Sequence, residues 1–82
     1  MVFLILSRGG FEALRPCIDR ERDAVWVNAG VLSDAEVGEL RRAGMELTVF
    51  ANPLDVSELA PDVATVVEHH PGEVVWVEAA TR

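Results

Sequence analysis

Val2-Phe3-Leu4-Ile5-Leu6, followed at once by Ser7-Arg8-Gly9-Gly10, decides how the rest of this chain is read. The apolar run is strand length, and it lacks the alternation of a strand with one wet face. Such a run reads as a strand covered on both faces, as in a parallel sheet between helices. Working outward, three further runs have the same character: Ala24-Val25-Trp26-Val27, Leu47-Thr48-Val49-Phe50 and Val74-Val75-Trp76-Val77. They begin at positions 2, 24, 47 and 74, too far apart for hairpins. Crossovers of this length join parallel strands and are right-handed in about 98% of cases.

The segments between the runs carry helix signals of uneven quality. Phe11, Leu14 and Ile18 share a helical spacing and predict a helix over about 11–22. Pro16 interrupts it, because proline lacks the N–H and clashes with the preceding turn. The second segment is clear. Ser33 and Glu36 form a capping box, Leu32 and Val37 a hydrophobic staple, and Arg41-Arg42-Ala43-Gly44 a C-terminus, predicting a helix over 34–43. In the third, a turn begins near Val56, Pro61 opens a helical segment, and Pro71-Gly72 ends it. Cys17, within the first helical stretch, reads as a half-buried small hydrophobe.

The expected fold is one α/β domain over residues 1–82, ordered β-α-β-α-β-α-β, with a four-stranded, mainly parallel sheet in two or three layers. Strand order 2-1-3-4 is favoured and 1-2-3-4 is the alternative. In either, three short helices leave part of a sheet that is apolar on both sides uncovered. That points to a second copy of the chain or another protein as partner. Trp26 and Trp76, each at a strand centre, are the expected interface anchors.

Composition narrows the partners. Fourteen acidic residues oppose seven basic ones, all arginine, for a formal charge of −7. The arginines lie among acids and form no basic stripe, which argues against nucleic acid and anionic membranes. No run approaches the roughly 18 apolar residues of a membrane span. The first residues lack the cationic start of a signal peptide, and a single cysteine allows no intrachain disulfide. A cytoplasmic location is expected.

Open parallel sheets place ligand sites at the C-terminal ends of their strands. That rim should gather Ser7, Arg8, Gly9 and Gly10 with Asn28, Gly30 and Asn52. Glycines opening a helix expose backbone N–H groups to an anion, and Arg8 adds a cation. Neither a G-x-G-x-x-G nor a P-loop lysine is present. Val27-Asn28-Ala29-Gly30 resembles the Asn-Ala-Gly step of short-chain dehydrogenases, but the chain has no tyrosine and no glycine-rich opening motif, so that activity is rejected. The layout is also similar to receiver and flavodoxin-like domains. Ser7 and Asn52 stand where a receiver carries acids and lysine is absent, which excludes its phosphotransfer chemistry.

Glu68-His69-His70 with Glu73 is a metal-like cluster, but neighbouring helical residues diverge by about 100°, and histidines suit a helix C-terminus. No catalytic residue, metal ligand or cofactor is assigned. The expectation is a small soluble non-catalytic binding or accessory protein that self-associates through an apolar sheet or helix face. The alternative is a regulatory module binding a small anionic ligand at the rim.

Overall fold

The computed structural model describes residues 1–78. Its elements run β1 (Val2–Ile5), α1 (Arg8–Leu14), a 3-10 turn (Arg15–Cys17), β2 (Ala24–Val27), α2 (Asp34–Arg42), β3 (Glu46–Val49), α3 (Ala60–His69) and β4 (Val75–Val77). All four strands are parallel, giving the expected α/β class.

The strand order is β3-β2-β1-β4, which corrects both orders expected from the sequence. The chain steps in one direction through β1, β2 and β3, then returns past β2 and β1 to place β4 beyond β1. Right-handed crossovers that reverse direction land on opposite faces of a sheet. Thus α1 and α2 cover one face and α3 the other. Every strand run is apolar enough to be central, so composition alone did not say which two would be. The structure puts β1 and β2 there, and all eight of their residues are buried.

Period-two alternation then sorts the side chains. Phe3, Ile5, Val25, Val27 and Leu47 point to the α1/α2 face, where Phe11 of α1 is wholly buried among them. Val2, Leu4, Ala24 and Trp26 point the other way, against the wholly buried Val66 of α3. A domain of this size with two half-cores has little to spare in either.

Two local differences have simple causes. The first helix begins at Arg8 rather than near Phe11, because Ser7 caps it: its Oγ accepts from the Gly10 N–H at 3.1 Å. It ends at Leu14, and Pro16 falls in the 3-10 turn, where its missing N–H breaks no α-helical bond. Cys17, expected half-buried, is exposed on that turn. The second helix behaves as read. Ser33 and Glu36 form the reciprocal capping box, and Gly44, at φ +95°, turns the chain out of it. The third opens with Pro61 in its first turn.

Candidate functional site

The rim expected to hold a ligand runs along the C-terminal ends of the strands, and beside β1 it is bounded by the end of β4. There the chain fills it with one of its own acids. Glu78, directly after β4, receives the Leu6 and Ser7 N–H groups on Oε1, each at 3.0 Å. The Ser7 hydroxyl donates to Oε2 at 2.7 Å, a charge-assisted bond. The carboxylate therefore occupies the anion position that the Ser7-Arg8-Gly9-Gly10 turn creates. An added anion would have to displace it.

Gly10 is what leaves room. A Cβ at that position would overlap the Glu78 carboxylate. Gly10→Ala is therefore expected to displace this flexible side chain; with the Ser7 donors exposed and the Leu6 N–H only partly buried, the cost is about 0.5–1.5 kcal/mol. Urea denaturation checks this. A midpoint unchanged from wild type would mean that Glu78 contributes nothing at the rim.

Arg8 does not join that carboxylate. Its Nη1 donates to both oxygens of Glu36, at 2.8 and 2.7 Å, and its Nη2 lies 2.9 Å from Glu12. The hydrogen bond with Glu36 is the main influence holding the Arg8 pKa above its ordinary value. Glu36 in turn is held below the usual carboxylate range, first by the Ser33 backbone N–H and then by Arg8. Arg8 thus braces the start of α1 against α2, in an exposed pair that salt screens.

Asn28 serves as a three-way tie. Its Nδ2 donates to the Leu6 carbonyl at 3.2 Å, and its Oδ1 accepts from the Leu54 N–H at 2.8 Å. It therefore joins the ends of β1 and β2 to the loop after β3. Gly30 turns the chain with φ +82°, while Gly9 and Asn52 are exposed. The rim thus brings Ser7, Gly10 and Glu78 together, uses Asn28 as a strut, and leaves Arg8 and Asn52 outside the cluster.

Glu78 was not singled out in the sequence, although a signal existed. Parallel register places the residue after β4 beside the residues after β1, so an acid there meets whatever opens α1. That inference needs the β1–β4 pairing, which neither expected strand order contained.

The histidines have internal partners. The Trp26 indole N–H donates to His70 Nε2 at 3.1 Å. An indole can only donate, so His70 accepts there and carries its proton on Nδ1, which faces Glu73 Oε2 at 3.2 Å. His69 Nδ1 donates to the Thr65 carbonyl at 2.8 Å. Among the described residues no group of three or more His, Cys, Asp or Glu is placed to hold a metal ion.

The tryptophans part company. Trp26, on the central strand β2, is 7% exposed and packs near Phe50 and both histidines. Trp76, on β4, is 55% exposed, flanked by the exposed Val74 and Val77. Its ring borders an apolar groove with Phe3, Ala13, Leu14 and Val77, because α1 does not extend across β4. α3 packs against β4 from the opposite face, through Val75. No described helix is long and apolar enough to cross a membrane.

No family model matches the chain, and no match was found among curated proteins or solved structures.

Proposed function

We propose that the protein is a small non-catalytic binding or accessory module that self-associates, using the outer face of β4 as its contact surface. The observation that carries this reading is Trp76. Its neighbour in register, Phe3, is 6% exposed, whereas Trp76 is 55% exposed in the same row of the same sheet. Burying an aromatic of this size is worth about 2 kcal/mol, so leaving it in water is costly unless another surface meets it. Two residues of β4, Trp76 and Val77, share that exposure with Val74 just before it, and clustered exposure of this kind marks contact surfaces. The formal charge of −7 on each copy opposes close approach, so association should strengthen as salt is raised.

Sedimentation velocity across a concentration series tests this. The wild-type chain is expected to shift toward a dimer as concentration rises. Trp76→Glu is expected to stay monomeric at every concentration while keeping the wild-type circular dichroism, with a modest drop in urea midpoint because the ring's packing beside Phe3 is lost. A wild-type chain that sediments as a monomer at every concentration would sink the reading.

A further inference from the structure

We propose that two copies pair β4 edge to edge in antiparallel fashion, about a two-fold axis through Trp76, joining two four-stranded sheets into one of eight strands. The inference rests on self-association through β4 and specifies its geometry.

The backbone supplies the first argument. The Val2 N–H donates to the Val74 carbonyl at 2.9 Å, and the Glu78 N–H to the Leu4 carbonyl at 3.0 Å. Even-numbered residues of this segment therefore face β1. Alternate residues of a parallel strand bond to opposite sides, so the N–H and C=O groups of Val75 and Val77 point off the outer edge. No described strand lies there to receive them.

The other edge of the sheet is partly guarded. On β3 the Phe50 N–H donates to the Val27 carbonyl, which by the same alternation turns the Leu47 carbonyl outward. The Arg41 guanidinium covers that carbonyl, with Nε at 3.2 Å and Nη2 at 2.9 Å, and Glu46 is exposed at the start of the strand. A capped carbonyl and a charge are the usual guards of an edge strand. Val74-Val75-Trp76-Val77 has no lysine, proline or other guard.

A two-fold contact between identical edges must be antiparallel. Centred on Trp76, it sets Val75 opposite the partner's Val77 and Val77 opposite the partner's Val75. Both are hydrogen-bonded pairs, so all four outward N–H groups and all four carbonyls find partners. Trp76 meets the partner's Trp76 as a non-hydrogen-bonded pair, with Cα atoms about 4.5 Å apart and side chains on one face. Glu78 then lies opposite the partner's Val74, so no carboxylate faces another. Centring on Val75 would instead set Val77 against Glu73, whose N–H is already given to the His70 carbonyl at 3.2 Å. Centring on Val77 would set Trp76 against Glu78.

Size fixes the strength. A three-residue edge and one tryptophan bury a few hundred Å² per copy, well short of the roughly 800 Å² per partner of a standard interface. The expected assembly is a reversible dimer, not an obligate one.

The test uses Val77→Pro in the full chain. The outward N–H of Val77 is lost, while the bonds from β4 to β1 are not touched, so the circular dichroism should match wild type and the dimer should disappear in sedimentation. A folded Val77→Pro protein that dimerises like wild type overturns the edge pairing and leaves self-association standing. A monomeric wild type removes both. Should Val77→Pro fail to fold, cross-linking decides. In a Cys17→Ser background oxidised with glutathione disulfide, an equimolar mixture of Val75→Cys and Val77→Cys chains, both keeping Trp76, should form the mixed disulfide dimer at least about tenfold faster than either forms a dimer with itself. Residues 75 and 77 of opposite copies have Cα atoms about 5.5 Å apart, inside the bridging range, whereas each lies about 8 Å from its own counterpart. Equal rates for the mixed and the self-paired dimers overturn the proposal.

Discussion

Phe11→Ala lowers the unfolding free energy by about 3–5 kcal/mol, the cost of emptying a fully buried aromatic site. The ring has no exposed surface and sits in the centre of the α1/α2 half-core. The Arg8 and Arg15 guanidinium groups lie 5.8 and 5.7 Å from its centroid, so the substitution also removes two cation–π contacts. A chain of 82 residues is expected to hold only about 4–12 kcal/mol in total, at roughly 0.05–0.15 kcal/mol per residue. The variant should therefore sit close to its unfolding transition at 25 °C, with weakened near-ultraviolet circular dichroism and a greatly reduced urea midpoint. A loss below about 1 kcal/mol would mean that α1 is not needed to close this face of the sheet.

Asn28→Ala is the second large effect and the more diagnostic one. Two partly buried backbone groups, the Leu6 carbonyl and the Leu54 N–H, lose their partner together. The expected loss is about 2–3 kcal/mol, from two stranded groups that water only partly reaches. Asn28→Asp should cost less in one respect, since a carboxylate can still accept from Leu54, but it sets a charge against the Leu6 carbonyl. A ligand-binding asparagine would behave in the opposite way, with little change in urea midpoint on replacement by alanine. Near-wild-type stability of Asn28→Ala would free the residue for a role at the rim.

These two residues also show how far the sequence could be read. The strands were legible because both faces of a parallel sheet demand continuous apolar runs, and α2 was legible because Ser33 and Glu36 satisfy each other locally. Phe11 was visible as a core residue of the first helix. The start of that helix was not, because the Ser7 cap was overshadowed by the glycines behind it. Strand order lay outside reach for a physical reason. It depends on which strand fits beside β1, and that is a comparison between distant segments, not a property of any one of them. The rim followed from topology in outline, yet its contents changed with the order. Once β4 lies against β1, the acid after β4 fills the position that seemed open to an anion. The cation that Arg8 offers the rim is engaged by Glu12 and Glu36, helical residues whose facing depends on how α1 and α2 pack and is not legible in the sequence. The exposed face was anticipated from a shortage of helices. Its location on β4, and the separation of Trp26 from Trp76, came only with the fold.

The placement of β4 against β1 also has a kinetic side. The bonds from Leu6 and Ser7 to Glu78 close a loop of more than 70 residues, whereas β1 and β2 meet as soon as the first 27 have been made. At about 5–20 residues per second, a ribosome needs several seconds to deliver the remaining 50. Through that interval the central strand of the finished sheet is itself an edge, with Val2 and Leu4 open to any passing strand. Long-range closure of this kind raises contact order and slows folding. The nascent chain is thus most exposed to mispairing at the strand that ends up best protected.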